Sequence, residues 1–299
     1  MDKTQYYIER INRVLDYIEL NLENKIILDE LAKVACLSKY HFHRIFYSFT
    51  NEPLYSFINR LRVERAATLF LTRKNTITDI AFSCGFNDSA TFSRAFKKNF
   101  KISALEWRKK KNSKIHQDFK RKPLYSCNSN TTEERIIKTI AIKEKLLQET
   151  HVVYIRHTGS YAGNSKLFHS LHKKLMDWAA PQGLVNYPAT KDIIIYHDPM
   201  GITDNDKLRI SVGITVSADV VVNGEIGKLV ISKGRYLICG FELKNEEYGK
   251  AWTHVFRNII PQRGIAPNDG YCFEMYPYNC YNKENDTTAV DICVPIKRL

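Results

Sequence analysis

Apolar residues at the start of the chain recur at three- and four-residue steps. Ile8, Ile11, Leu15, Ile18 and Leu22 predict an amphipathic helix that buries one stripe. Leu28 to Ala35 predicts a short second helix, then a tight turn at Cys36-Leu37, with Ser38 placed to cap a third helix through its side-chain oxygen. Over that third helix Phe42, Ile45, Phe46 and Phe49 share one face, while Tyr40, His43, Arg44 and Tyr47 share the opposite one. Pro53 suits the first position of a long helix whose apolar side, Leu54, Phe57, Ile58, Leu61, Ala66, Leu69 and Leu71, runs on to Thr72. Asp88 to Phe100 then repeats the third helix: Asp88 is its cap, Phe92, Ala95 and Phe96 point inward, and Ala90, Ser93, Arg94 and Lys97 point outward.

The repetition extends to the preceding short helices. Leu31-Ala32 answers Ile80-Ala81, and Phe42-x-Arg44-x-Phe46 answers Phe92-x-Arg94-x-Phe96, with one extra residue in the second turn. Helix, turn, helix with a polar outer face, twice in one chain, is the construction that lays a helix in a major groove. An arginine on such a face can contact guanine at two atoms, worth about 1–3 kcal/mol of base discrimination, or bind phosphate. A charged helix face taken singly is more often plain solvated surface; duplication argues against that here. Recognition helices about 34 Å apart would reach successive groove segments, so one protomer is expected to bind an asymmetric site on double-stranded DNA.

After residue 133 the period changes. Arg209 to Val216 and Ala289 to Ile296 alternate apolar residues in the same phase, Pro181-Gln182-Gly183 answers Pro261-Gln262-Arg263-Gly264, and Ile193 to Tyr196 answers Phe273 to Tyr276. Between them Leu167, Leu171, Leu175 and Trp178, and then Tyr248, Trp252, Val255, Phe256 and Ile259, follow helical spacing. Each unit reads hairpin, helix, two strands, and two units side by side predict an antiparallel sheet with helices on one face and a cleft at the pseudo-twofold seam. The expected fold is thus multidomain: an all-α double helix-turn-helix over 1–110, a basic linker over 111–132, and an α+β domain of two repeated units over 133–299.

Charge sharpens the division. The chain has 299 residues and a net charge of +13, but 24 basic against 13 acidic residues put +11 on 1–125, and 21 against 19 leave +2 on 126–299. A one-ended basic excess is the footprint of a polyanion partner. Seven scattered cysteines lack a C-x-x-C pair or histidines at metal spacing, so reduced thiols, no cofactor and no metal are expected. The charged N-terminus lacks an apolar signal core and no stretch reaches the length of a membrane span; a cytoplasmic protein without membrane contact is the expectation.

Glu274 stands out within an apolar strand, YCFEMY. If Phe273 and Met275 face the helices, Glu274 faces the other side of the sheet, where a carboxylate without a partner costs several kcal/mol. A cationic ligand, a lysine or arginine of the same domain, or a wet sheet edge would each resolve that. Tyr154, Tyr161, Tyr196, Trp252 and Tyr276 could wall such a ligand by cation–π contact, about 0.5–2 kcal/mol each, although each aromatic singly is more often core.

The segment from Ile27 to Arg108, ending FSRAFKKNFKISALEWR, resembles the AraC/XylS class of bacterial transcription regulators. The resemblance implies base contacts from Tyr40, His43 and Arg44 in the first reader and from Ser89, Ala90, Ser93 and Arg94 in the second, with RNA polymerase as a further partner. Ala90 departs from the polar residue often found there, Cys36 and Asn51 stand where glycine is common, and Ala104 replaces a usual proline. The second half resembles GyrI-like effector-binding domains through YIRHTGSYAG (154–163), IIIYHDP (193–199), Leu208-Arg209 and FEMY (273–276), but lacks their frequent His-x-Gly-Pro pattern near 240–248. The combined layout looks like the Rob type of regulator. That resemblance implies a hydrophobic, often cationic effector held by the glutamate that Glu274 matches, and a non-enzymatic role. Two other readings of this half stay open: a hydrolase with Glu274 as general base and Tyr276 as orienting group, and a protein-interaction module whose seam is filled by side chains.

Overall fold

The computed structural model describes residues 3–72, 75–110, 139–199 and 201–298. The basic linker lies outside the described residues. The chain divides into two compact units, one helical and one built on a sheet.

The helical unit contains α1 (Lys3–Leu20), α2 (Leu28–Val34), α3 (Lys39–Thr50), α4 (Leu54–Thr72), α5 (Ile77–Ser83), α6 (Ser89–Phe100) and α7 (Ala104–Lys110). The periodicity placed the α1 stripe, whose Ile11, Leu15 and Ile18 pack with Leu31 of α2, Phe42 and Phe46 of α3 and Phe57 of α4, whereas α4 also buries Val63, Ala67 and Phe70 beyond its expected side. Both recognition helices start on the expected caps, Ser38 accepting from the His41 amide at 3.4 Å and Asp88 from the Thr91 amide at 2.7 Å. That hydrogen bond also holds the Asp88 carboxyl below its usual range. Helix α5 carries a capping box between Thr76 and Asp79, whereas α2 begins at Ile27 with no side-chain cap. Pro53 immediately precedes α4, its carbonyl accepting from the Phe57 amide.

Each short helix ends in the same way. The Leu37 amide reaches the Ala32 carbonyl and the Phe86 amide reaches the Ala81 carbonyl, across a left-handed residue that is Cys36 (φ 49°) in one copy and Gly85 (φ 90°) in the other. The recognition helices close on left-handed Asn51 and Lys101, so both positions bear side chains where glycine would cost least.

In the second unit the strands are β1 (Thr139–Leu147), β2 (Thr150–Thr158), β3 (Asp192–Tyr196), β4 (Arg209–Val216), β5 (Ile226–Ile231), β6 (Gly234–Leu243), β7 (Ile265–Pro267), β8 (Cys272–Tyr276), β9 (Tyr281–Asn282) and β10 (Thr287–Arg298). Helix α8 (Ser165–Ala179) follows β2, and α9 (Tyr248–His254) follows β6, continuing through a π-helical turn at Val255–Ile259. All the pairings are antiparallel, in the order β1-β6-β10-β8-β3-β4-β2-β5, so the two repeats meet where Ile193 pairs with Met275 and Ile195 with Phe273.

The expected hairpins are replaced by a strand exchange. β1 does not pair with β2 but with β6, and β5 does not pair with β6 but with β2. The first strand of each repeat thereby extends the sheet of the other. Leu147 and Thr150 bound the short β1–β2 connection, which spans at most about 11 Å, yet their strands are six places apart in the sheet order, about 29 Å if flat. The sheet must therefore curl until its ends converge. That curl buries the face away from the helices: Val152, Tyr154, Ile195, Leu229, Tyr236 and Phe273 form one cluster there. The other face carries α8 over Val153, Ile210 and Ile214, and α9 over Leu237, Phe241 and Ile292.

Candidate functional sites: two exposed recognition helices and an acidic cavity

On α3 the side chains of Tyr40, His43 and Arg44 are exposed, and on α6 those of Ser89, Ala90, Ser93, Arg94 and Lys97 are exposed. The opposite faces pack as expected through Phe42, Phe46, Phe92 and Phe96. Phe49 is the exception: expected on the packing face, it is 39% exposed. Arg94 donates to Thr91 at 3.2 Å, with the Asp88 carboxylate also feeling its charge, and Arg44 lies 5.8 Å from the Tyr40 ring centroid, so both guanidiniums are held against their own helix.

Helix α4 packs against both recognition helices. Phe57 near its start meets Phe46 of α3 edge-on at 5.3 Å, and Phe70 near its end meets Phe96 of α6 at 5.8 Å. Thirteen residues of helix place those contacts about 20 Å apart along one rigid rod. Arg60 on the same helix is buried between Glu52 at 2.9 Å and Glu64 at 3.2 Å. Arg62 ties α4 to the end of α1 by donating to the Leu22 and Asn24 carbonyls.

In the second unit a cavity of about 480 Å³ opens between α8 and α9 over the β3–β8 seam. Five of the six side chains expected to bind a ligand line it: Tyr161, Tyr196, Trp252, Glu274 and Tyr276. Tyr154 does not. It is fully buried on the opposite face of the sheet, where its ring lies so close to Gly227 that a methyl group at that position would collide with it.

Glu274 is oriented opposite to the sequence expectation. Its strand neighbour Phe273 packs into the curled face, so Glu274, paired across the sheet with Ile194 and Ile292, faces the helices and the cavity. Alternation located the side chain in phase but could not tell which face carries helices, because the curl makes both faces apolar. The carboxylate is 1% exposed and accepts three hydrogen bonds, from Trp252 Nε1 at 2.6 Å, Tyr276 OH at 2.7 Å and Tyr196 OH at 2.9 Å. Among the described residues no lysine or arginine pairs with it, and at 1% exposure it does not sit at a wet edge. Burial raises its pKa despite these three bonds, and burial together with the nearby carboxylate raises Tyr196 and Tyr276 well above the ordinary phenol range. The tyrosines therefore stay neutral donors and Glu274 keeps an uncompensated charge when ionised.

Aromatic rings continue outward from this carboxylate. Tyr196 meets Trp252 edge-on at 5.5 Å and Tyr161 at 5.8 Å, and Tyr161 meets Phe168 at 6.1 Å. Tyr248, Phe168, His172 and Asp192 also line the cavity and were not among the residues expected to bind a ligand. Tyr248 stands one helical turn before Trp252, and Asp192 lies two residues from Ile194 on the same strand face; those spacings held the signal. Beside the cavity wall, the Arg209 guanidinium and Asp198 form a buried pair at 2.6 Å. Among the described residues no group of three or more acidic, histidine or cysteine side chains could hold a metal, and no helix is long and apolar enough to cross a membrane.

A pair of helix-turn-helix units with exposed outer faces, followed by a sheet domain with an aromatic cavity, defines a DNA-binding regulator class. The sequence matches a helix-turn-helix domain over residues 31–110 and a GyrI-like small molecule binding domain over 141–297. Over 110 residues it is 34% identical to the transposon Tn10 TetD protein of Escherichia coli, covering 37% of this chain and 80% of that one. Over 105 residues it is 32% identical to the HTH-type transcriptional activator AarP of Providencia stuartii, covering 35% and 78%. The match to the putative regulator YkgA of Escherichia coli, 35% identical over 98 residues, spans 41% of that protein. Among solved structures, the EcmrR protein of an EcmrR–DNA complex is similar over 91% of this chain, at 16% identity and a TM-score of 0.44. The chain belongs to the AraC-type helix-turn-helix transcription regulators that carry a C-terminal GyrI-like small molecule binding domain.

Proposed function

We propose that the protein is a one-component regulator whose two readers bind an asymmetric promoter site as a single protomer, and whose cavity binds a hydrophobic cation that alters transcriptional output. Tyr40, His43 and Arg44 read one groove segment; Ser89, Ala90, Ser93 and Arg94 read the next, with Lys97 on phosphate. The observation that carries the ligand reading is Glu274: a carboxylate 1% exposed, bonded only to neutral donors among the described residues, at the base of an aromatic cavity. A cation with an apolar body supplies the missing charge and fills the aromatic walls.

Output changes only if the ligand favours one state of the protein over another. The test is site selection from random DNA at about 150 mM salt, which suppresses purely electrostatic binding, followed by transcription from the selected site with and without tetraphenylphosphonium. An enriched asymmetric site bound by one protomer, with output that shifts on adding the cation, supports the reading. Enrichment without any response leaves the DNA half standing and overturns the ligand half.

A further inference from the structure

The cavity holds a second carboxylate. Asp192 lines it on β3, directly across the sheet from Tyr276 and therefore diagonal to Glu274 on the same face. Diagonal neighbours on adjacent antiparallel strands lie about 7–8 Å apart. Asp192 accepts from the Tyr187 hydroxyl at 2.9 Å on both oxygens and meets His172 Nε2 at 3.0 Å. Burial first, then Asp192 itself, raises the Tyr187 phenol, which keeps that hydroxyl a neutral donor. Among the described residues neither Glu274 nor Asp192 has a lysine or arginine within ion-pair distance. The Tyr161 hydroxyl, on a 3% exposed residue lining the same cavity, has no hydrogen-bond partner among the described residues.

Two like charges at that separation in a largely apolar cavity repel one another, and a single cation neutralises only one of them. We infer that the cavity selects a dication, a hydrophobic compound with two positive nitrogens about 7–8 Å apart, one seated at Glu274 and the other at Asp192. Tyr161 donates to an acceptor carried between or beside the charges. Asp192 is then a specificity-determining residue: it separates singly from doubly charged guests of similar size. This inference rests on the proposal that Glu274 receives a cation.

The experiment measures binding of pentamethonium and of pentyltrimethylammonium, its singly charged match, to the full-length wild type, Asp192→Asn and Glu274→Gln proteins at about pH 7.5. The wild type is expected to bind the dication at least about tenfold more tightly. Asp192→Asn should weaken the dication by about tenfold more than the monocation; Glu274→Gln should weaken both. Equal affinity of the wild type for the two compounds, or an Asp192→Asn effect of the same size on both, overturns the two-centre site while leaving the Glu274 reading intact. Absence of any Glu274→Gln effect overturns that underlying reading instead. Should Asp192→Asn fail to fold, His172→Lys sets a fixed cation beside Asp192 and is expected to weaken the dication more than the monocation; an unchanged preference in that variant overturns the inference equally.

Discussion

Replacing Glu274 by glutamine tests the cavity at its base. The amide keeps the shape, its oxygen can accept from Trp252, and its NH2 can donate to the Tyr196 and Tyr276 hydroxyls, which are able to accept. Only the charge is lost. Three donors at 2.6 to 2.9 Å occupy the near edge of the carboxylate, so a bound cation sits one layer out, about 5 Å away. At an effective dielectric of about 20 the attraction there is about 3 kcal/mol, on the order of 200-fold in Kd. Titration calorimetry with tetraphenylphosphonium at about pH 7.5 should read that loss, while the affinity of the ligand-free protein for DNA stays unchanged. A loss below about threefold in a variant that melts normally would refute the assignment. The pH dependence follows from the raised carboxyl. Because burial favours the protonated form in the folded chain, the stability it allows at acid pH is lost as pH rises from the ordinary glutamate value, about 4.3, through the raised one. Glu274→Gln has no such slope, so in ligand-free protein it should melt above wild type near pH 8 and close the gap near pH 4. Cation affinity in wild type should fall as pH drops through the same raised value and stay flat in the variant.

Three further outcomes are expected. Arg44→Ala and Arg94→Ala should each weaken the selected DNA site by about 1–3 kcal/mol without lowering the melting temperature, since both side chains are exposed; unchanged affinity in gel-shift titrations of both would defeat the groove assignment. Gly85→Ala should cost about 2 kcal/mol or more in urea unfolding, because φ is 90° and a Cβ would approach the Leu22 carbonyl oxygen to 2.5 Å, whereas Cys36→Ala at the sister turn, already occupied by a side chain and exposed, should change stability by about 0.5 kcal/mol or less. Asp198→Ala should destabilise the second unit by about 3–5 kcal/mol, since it strips the carboxylate from a buried guanidinium; a shift under about 1 kcal/mol in denaturant unfolding would show that the pair is not a structural anchor.

Local physics made the helical unit legible. Helical period, caps at Ser38 and Asp88, and the repeated Phe-x-Arg-x-Phe run are short-range signals, and a helix needs only its own residues to choose its buried side. The sheet unit was legible as a duplication, and strand phase and helix spacing marked Tyr196, Trp252, Glu274 and Tyr276, which line the cavity together with Tyr161 from the loop before α8. What failed there depended on distant pairing. The same alternation serves a hairpin or an exchanged strand, so nothing in residues 139–158 alone could announce that β1 joins β6 and β2 joins β5. The exchange curls the sheet, the curl buries its second face, and that second apolar face sends Tyr154 away from the cavity and turns Glu274 toward it. The sequence by itself thus determined two helix-turn-helix units, a duplicated sheet domain and an acidic residue on an apolar strand. Only tertiary structure decided which side of the strand meets the helices, because alternation records that neighbours point apart, and the partner that covers each face is set by chain segments tens of residues away.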